Sequence, residues 1–142
     1  MTRRVLLVVD ACTPLAARAR LATAALTTST GSGSVDALVF APAASLPEAH
    51  ECWTGIRSVY VTGSEIEPYA DAARLLKTLD CAIEASGADI LLFGEHGRGT
   101  ELAARLACRV NVSLLAGCDS ISHPDGKLTV TRTAFGGRVV EI

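Results

Sequence analysis

The fold of this chain is decided by residues 89–109, which read DILLFGEHGRGTELAARLACR. Residues 89–93 form a short aliphatic run, typical of a strand that is covered on both faces of a parallel sheet. Residues 94–99 contain three glycines, and residues 100–109 place apolar side chains at helical spacing, beginning with Leu102. The stretch therefore predicts a buried strand, a glycine-rich loop and an amphipathic helix in succession.

The rest of the chain repeats this alternation of strand and helix. The pattern predicts strands at residues 4–9, 35–40, 58–61 and 89–93. It predicts helices at residues 14–26, 48–53, 68–86 and 100–109. Thr13 is expected to cap the first helix and Thr100 the last, because both side chains can accept a hydrogen bond from a free backbone N–H. Right-handed crossovers between parallel strands then place helices on both faces of one sheet.

The pattern changes after residue 111. Residues 112–116 are predicted to form a strand, and Pro124-Asp125-Gly126 is a turn signal. Residues 127–133 alternate sides like a strand with one solvated face, and residues 138–142 form a last short strand. The whole sequence predicts a single α/β domain over residues 1–142, a three-layer Rossmann-like, mostly parallel sheet with a C-terminal antiparallel hairpin.

Composition excludes several classes of protein. The net charge of −2 provides no basic surplus for binding nucleic acid. The longest apolar runs, such as Val5–Val9, fall far below the roughly 20 residues that a membrane helix needs. Arg3 and Arg4 precede too short an apolar stretch to form a secretory signal. We therefore expect a cytoplasmic protein with neither nucleic acid nor membrane as a partner.

Metal and nucleophile chemistry also lack a pattern in the sequence. The cysteines form an odd set without a CxxC pair: Cys12, Cys52, Cys81, Cys108 and Cys118. Neither a disulfide framework nor a zinc site is supported, so we expect reduced cysteines that pack as small hydrophobes. His50 and His123 show no ligand spacing, and no GxSxG elbow is present. The sequence thus predicts no metal ligand and no catalytic residue.

The candidate site is the glycine-rich loop, because ligands of parallel α/β folds bind outside the carboxyl ends of the strands. Its residues are Gly94, Gly97, Arg98, Gly99 and Thr100, together with Asp10 at the end of the first strand. Free backbone N–H groups, the helix dipole and Arg98 would attract an anion, and Asp10 would meet a ribose hydroxyl. The loop matches neither the P-loop nor the GxGxxG pattern.

Each of these residues also has a purely structural interpretation. The loop is compatible with an ordinary strand-to-helix turn in which Thr100 is the cap and Glu101 favours the first helical turn. Asp10 is equally a turn former. His96, the histidine of the loop, is compatible with acid–base chemistry or with a solvated surface position.

Three segments resemble, in the same order, parts of electron transfer flavoprotein alpha subunits: residues 88–107, 112–119 and 128–137. The family's helix reads roughly D/E-L-A-P-R-L-A, where this chain has ELAARLA at residues 101–107. Its terminal hairpin reads V-x-R-P-x-Y-G/A-G. Here Thr133 replaces the usual proline, and Arg138 stands where asparagine is frequent.

The resemblance implies an N-terminal domain of the adenine nucleotide alpha hydrolase-like superfamily. Such a domain would be a docking module for a beta-type subunit and for an FAD-bearing domain, which would follow the end of this chain. The chain alone would hold no FAD, and electron transfer would occur elsewhere in a heterodimer. A homodimer is the other assembly that we consider.

Two alternatives remain at this stage. A universal-stress-like domain would bind ATP or AMP through G-x-x-G, nine residues and G-[S/T]. Gly94 and Gly97 match the opening of this pattern, but Ala107-Cys108 stands where the second half should be. A small enzyme that uses His96 ranks last, because no partner carboxylate or nucleophile is specified.

Overall fold

The computed structural model describes residues 2–29, 32–41, 53–62, 70–134 and 139–141. Its main sheet consists of β1 Val5–Asp10, β2 Val35–Phe40, β3 Ser58–Val61 and β4 Ile90–Phe93. The four strands are parallel and lie in the order β3-β2-β1-β4. The predicted strands of this sheet are confirmed. β1 pairs on both sides, so that Val5 is in register with Val35 and with Ile90.

Helices cover both faces of this sheet, as predicted. They are α1 Leu15–Thr28, α2 Ala72–Ser86 and α3 Gly99–Val110. On one face, Leu7 of β1 belongs to a buried cluster with Ala25 of α1. On the other face, Leu6 belongs to a cluster with Leu79 of α2 and Leu102 of α3. Consecutive residues of β1 therefore face different layers, which is the period-two geometry of a strand buried on both sides.

The predicted side-chain caps at Thr13 and Thr100 are wrong. α1 follows Pro14 and has no side-chain cap, while the Thr13 hydroxyl is buried and has no hydrogen-bond partner within the described ranges. The Thr13 N–H instead donates to the Asp10 carbonyl at 3.0 Å, which closes a tight turn and directs the residue inward. α3 begins at Gly99, so Thr100 is an exposed residue inside the helix.

α2 begins at Ala72, later than the predicted start at residue 68, and ends at Ser86 as predicted. Its carboxylate cap is Asp71, which accepts from the Ala73 N–H at 3.0 Å. Gly87 ends the helix with a φ of 63°, as the glycine predicted. Residues 63–69 and, apart from Trp53, the predicted helix at 48–53 lie outside the described residues.

A second, antiparallel sheet follows the helices. It contains β5 Cys118–Ser122, β6 Thr129–Ala134 and β7 Val139–Glu141 in the order β5-β6-β7. Pro124–Gly126 forms the predicted turn as one turn of 3-10 helix. The last strand of the prediction is also present over its described residues.

The predicted strand at residues 112–116 is wrong, because these residues have no regular structure and are exposed. Asn111 and Gly117, which flank them, both have a left-handed backbone, with φ values of 54° and 66°. The sequence of the segment suits a strand, but no neighbouring strand pairs with it among the described residues. A strand forms only where a second strand accepts its backbone hydrogen bonds.

Arg3 connects the antiparallel sheet to the start of β1. Its Nη1 lies 2.8 Å from Nδ1 of His123, and its Nη2 donates to the Gly126 carbonyl at 3.4 Å. Both acceptors belong to the connection between β5 and β6. The hairpin is therefore attached to the parallel sheet by a cation that precedes β1.

An ion pair between a buried carboxylate and a half-exposed guanidinium joins β2 to the end of α2. Asp36 is 1% exposed, and its carboxylate accepts from Nε and Nη2 of Arg57 at 2.9 and 2.5 Å. Nη2 also donates to the Ser86 carbonyl at 3.3 Å. The hydrogen bond and the charge of Asp36 raise the pKa of Arg57. A bidentate guanidinium thus compensates a carboxylate that has been removed from water.

No helix within the described ranges is both long enough and apolar enough to cross a membrane.

We predict that Arg57→Ala lowers the urea midpoint of unfolding more than Asp36→Ala/Arg57→Ala does. The single variant leaves a buried carboxylate without its cation, and the double variant removes that carboxylate as well. Equilibrium urea unfolding of the wild type, both single variants and the double variant measures this coupling. Additive effects of the two substitutions would contradict the proposed role of the pair.

Candidate functional site

The candidate site lies where the strand order reverses, between β1 and β4. The chain leaves β1 toward α1 on one face of the sheet and leaves β4 toward α3 on the other face. Two adjacent strands that send their connections to opposite faces open a crevice at their carboxyl ends. The loops that border this crevice are residues 11–14 and residues 94–98.

The structure brings Asp10 and Gly97 together in this crevice. The Asp10 carboxylate lies so close to Gly97 that a Cβ on the glycine would be 2.3 Å from Oδ2. The other oxygen, Oδ1, accepts from the Cys12 N–H at 3.2 Å. Asp10 is therefore both the turn former of the first loop and the group that faces the second loop.

The other glycines of the loop allow close approach of the backbone. A Cβ on Gly99 would lie 2.0 Å from the Gly94 carbonyl oxygen. The Gly94 N–H donates to the Val8 carbonyl at 3.2 Å, which continues the pairing of β4 with β1. Gly97 has a φ of 64°, in the left-handed region that glycine adopts without strain. The loop geometry thus has a structural explanation at each glycine.

Arg98, expected to attract an anion, is engaged within the chain. Its Nε and Nη2 donate to the two carboxylate oxygens of Glu101 at 2.8 and 3.0 Å. Nη1 donates to the Ala70 carbonyl at 2.6 Å. The hydrogen bond to Glu101 raises the pKa of Arg98 despite partial loss of solvent. This guanidinium joins the start of α3 to the chain that precedes α2.

Glu101 is held by two cations. Besides Arg98, Nε of Arg105 donates to its Oε1 at 3.0 Å, one helical turn further along α3. The hydrogen bond from Arg98 is the main reason that the pKa of Glu101 is lowered from 4.5 to about 2, with a further contribution from Arg105. Thr100, between these residues, has an exposed side chain.

Arg18 of α1 binds the loop at residues 11–14, on the other side of the crevice. The sequence did not reveal this role of Arg18. Its Nε donates to the Thr13 carbonyl at 2.9 Å and its Nη2 to the Ala11 carbonyl at 2.7 Å. A cation in the first turns of a helix that follows a tight loop is the signal that could have indicated this role. The two main cations of the crevice region, Arg18 and Arg98, thus each bind carbonyl groups of the protein itself.

The crevice therefore presents a carboxylate to an incoming ligand. A phosphate or pyrophosphate would approach the Asp10 carboxylate beside Gly97, and two negative charges in contact repel each other. The cofactor that the resemblance implies for the assembly is FAD, whose pyrophosphate would meet this carboxylate. The described residues offer it no uncommitted guanidinium in the crevice.

The nucleophilic and acid–base candidates show no catalytic geometry. Partial loss of solvent around the thiol raises the pKa of Cys12, and the nearby negative charge of Asp10 raises it further. The thiol is therefore protonated at neutral pH. Nδ1 of His96 is buried and has no hydrogen-bond partner among the described residues, so no carboxylate orients its ring. His50 lies outside the described residues.

The described cysteines lie at the surface of the protein. The described cysteines are free, but they are exposed, so the expectation that they pack as small hydrophobes is wrong for Cys12, Cys81, Cys108 and Cys118. Cys52 lies outside the described residues. Within those residues, no cluster of histidine, cysteine and carboxylate side chains is suited to a metal ion.

A groove beside the antiparallel sheet is a second concave feature of the described residues, and no sequence pattern predicted it. Its lining residues come from the segment before β5, from β5, from the connection between β5 and β6, and from β6: Leu115, Cys118, Lys127, Leu128, Thr129, Val130 and Arg132. We call it the hairpin groove. Partial loss of solvent and the charge of Asp119 raise the pKa of Cys118, against the opposite effect of Arg132. The aliphatic side chains of Leu115, Leu128 and Val130 line the groove together with the cations Lys127 and Arg132.

The parallel sheet with its switch-point crevice defines the class of this protein, a Rossmann-like α/β domain. The model of the electron transfer flavoprotein domain family matches residues 15–142. The chain therefore belongs to the electron transfer flavoprotein domain family, in agreement with the resemblance of residues 88–137.

Two further comparisons complete this picture. No curated protein matches the chain. Among solved structures, the chain is similar to protein Rv1636 from Mycobacterium tuberculosis H37Rv, with 13% identity and a TM-score of 0.34. That alignment covers 81% of this chain and 94% of the other.

We predict that Gly97→Ala destabilises the fold by about 1–3 kcal/mol, because a positive φ and the Asp10 carboxylate both oppose a Cβ. Gly126→Ala is the matched control, since Gly126 has a φ of 75° but open space around it. Chemical denaturation of both variants separates the collision from the backbone strain. Asp10→Ala should relieve part of the Gly97→Ala defect, and equal defects with and without Asp10 would contradict the contact.

We also predict that Glu101 contributes to the acid sensitivity of the fold. Its pKa in the folded state is lowered, so its stabilising effect is present above about 4.5 and is lost as the pH falls toward about 2. Glu101→Gln should flatten the decline of the unfolding free energy in this window. Urea midpoints measured from neutral pH down to about 2 test this, with Glu84→Gln, an exposed change on α2, as the control.

Proposed function

We propose that this chain acts as the N-terminal domain of an electron transfer flavoprotein alpha subunit, or as a stand-alone relative of that domain. In this function it is a non-catalytic docking module for a beta-type subunit and for an FAD-bearing domain or chain. The family membership and the order of the matching segments at residues 88–107 and 128–137 support the proposal. The flavin chemistry would take place on atoms outside this chain.

The observation that carries this proposal is that the arginine side chains bordering the crevice are bound to acceptors of the chain itself. Arg98 binds Glu101 and the Ala70 carbonyl, and Arg18 binds two loop carbonyls. Asp10 lies against Gly97, where an anionic ligand would approach. A loop whose charged side chains are held by internal partners has a structural role. A domain with such a loop would act by binding partners through its surface.

The alternative is a nucleotide-binding domain of the universal-stress type. Asp10 favours it, because a carboxylate at the end of β1 beside the glycine loop is also placed to accept hydrogen bonds from ribose hydroxyl groups. The two functions make opposite predictions for this side chain. If the Asp10 carboxylate is only structural, its charge would repel the phosphates of ATP. If it binds ribose, it would contribute to ATP affinity.

Calorimetric titration with ATP distinguishes the two. We expect no binding in the low micromolar range for the wild type, and a gain rather than a loss of phosphate affinity for Asp10→Asn, because the substitution removes the repelling charge. Tight ATP binding that Asp10→Asn abolishes would favour the nucleotide-binding domain. Glu84→Gln, which removes an exposed carboxylate on α2, is the control for the change in net charge.

Co-expression with the beta-type subunit of the same source tests the docking function directly. We expect a stable complex on size-exclusion chromatography and flavin absorbance only after an FAD-bearing chain joins it. A purified chain that is yellow by itself, with stoichiometric flavin, would contradict the proposal. So would a chain that recruits no flavoprotein subunit under conditions in which its relatives assemble.

A further inference from the structure

The antiparallel sheet shares no apolar core with the parallel sheet. Of the described residues, none after Leu106 belongs to either buried cluster. The side chains of β5 are exposed except that of Ile121, which is half-buried. β5 contacts α1, and the connection between β5 and β6 is bound by Arg3. The position of the antiparallel sheet therefore depends on polar contacts, which respond to charge, more than on buried apolar surface.

The contact between Arg3 and His123 defines the protonation state of the histidine ring. A guanidinium has only N–H donors and keeps its proton throughout the pH range in which proteins are folded. Nη1 of Arg3 therefore donates, and Nδ1 of His123, at 2.8 Å, accepts through its lone pair. The His123 ring is then neutral and carries its hydrogen on Nε2.

The second ring nitrogen of His123 weakens this arrangement. Nε2 is buried and has no hydrogen-bond partner within the described ranges. A buried N–H without an acceptor costs free energy of about the size that a hydrogen bond from a charged donor contributes. The attached position of the sheet thus combines one charge-assisted hydrogen bond with one unsatisfied donor, and the two effects oppose each other.

Protonation of His123 removes the favourable half of this balance. An imidazolium carries a hydrogen on both nitrogens, so Nδ1 no longer accepts from Arg3. Two cations then stand at the distance of a hydrogen bond, where they repel each other. Movement of the ring into water relieves this repulsion and also gives the Nε2 hydrogen a water acceptor. Uptake of a proton therefore favours a detached antiparallel sheet.

The charged groups of the neighbouring elements are placed differently from Arg3. On α1, Arg18 is bound to the loop at residues 11–14, Arg20 is exposed, and residues 21–28 contain no ionisable side chain. On the antiparallel sheet, Asp119 and Arg132 lie near the end of the β5–β6 pairing that is remote from His123.

The charged groups nearest in sequence are exposed to solvent. The backbone N–H of Arg4 donates to the Asp89 carboxylate at 3.1 Å. Asp125 and Lys127 belong to the same connection as His123 and move with it, so they act on the imidazolium in both positions of the sheet. Met1, which bears the α-amino group, lies outside the described residues. Among the described groups, Arg3 is the cation in direct contact with the ring.

We propose that the Arg3–His123 contact is a pH-sensitive switch for the position of the antiparallel sheet. With a neutral His123 the sheet is held against the start of β1, and with a protonated His123 it detaches and moves relative to the parallel sheet. Because the detached form binds one more proton, acid favours it. Histidine is the side chain whose charge ordinarily changes between about pH 5 and 8. The switch is independent of which partner the domain binds.

The test measures the distance between the two sheets by double electron–electron resonance on the full chain. Nitroxide labels are attached to Cys81 of α2 and Cys118 of β5, which are both exposed, and the other cysteines are replaced by serine. We expect one narrow distance distribution at about pH 8 and a second, displaced component at about pH 5. The ratio of the displaced to the native component should rise at least about tenfold, as expected for loss of a hydrogen bond from a charged group.

Three variants connect this response to the two side chains. His123→Gln offers an amide oxygen to Arg3 at every pH, so the narrow distribution should persist under both conditions. Arg3→Gln removes the cation, so the displaced component should be present under both conditions. His96→Gln is the matched control, because His96 also has a buried ring nitrogen without a partner among the described residues. This variant should respond to pH like the wild type.

Several outcomes would overturn the switch. A wild-type distribution that is the same at both pH values is one, and a pH response that persists in His123→Gln is another. A response that His96→Gln abolishes would assign the titration to the loop at residues 94–99 instead. Nitrogen NMR of the imidazole at about pH 8 tests the premise, since a ring with its hydrogen on Nδ1 cannot accept from Arg3. Urea midpoints at both pH values confirm that each variant is folded.

Discussion

The structure depends on the burial of β1 between two neighbouring strands and two layers of helices. Leu6 and Leu7 are fully buried although they point in opposite directions. One of them packs against α2 and α3, and the other belongs to the cluster of α1. Because β1 uses both edges and both faces, its register fixes the position of every element of the parallel sheet. It also fixes where Asp10 emerges, at the carboxyl end beside the loop that follows β4.

The crevice at this end lies where ligands bind in parallel α/β folds. Its charged side chains, however, are paired with groups of the chain itself. The guanidinium groups of Arg18 and Arg98 bind acceptors within the chain, and the Asp10 carboxylate faces Gly97. Ion pairs and hydrogen bonds of this kind reduce the field that an anion would experience, because the donors are already satisfied. The glycines then serve the close approach of two loops.

Prediction from the sequence was accurate where a pattern depends on the chain itself. The aliphatic run of β1 gave a correct strand, since burial on both faces explains such a continuous apolar stretch. Gly87 correctly marked the end of α2. The errors occur where two distant segments compete for the same group. Thr13 has the right chemistry for a cap, but the turn at Asp10 and the hydrogen bond from Arg18 direct it elsewhere.

Local patterns along the chain were enough to predict the alternation of strands and helices, the family and the loop at residues 94–99, because periodicity and glycine positions are local properties. The contact of Asp10 with Gly97, the ion pair of Arg98 with Glu101 and the position of residues 112–116 outside the sheets are visible only in the folded chain. Each of these outcomes depends on which groups are neighbours in the folded chain. Hydrogen bonds and strand pairing are satisfied between segments that lie far apart in sequence, so no local pattern contains that information.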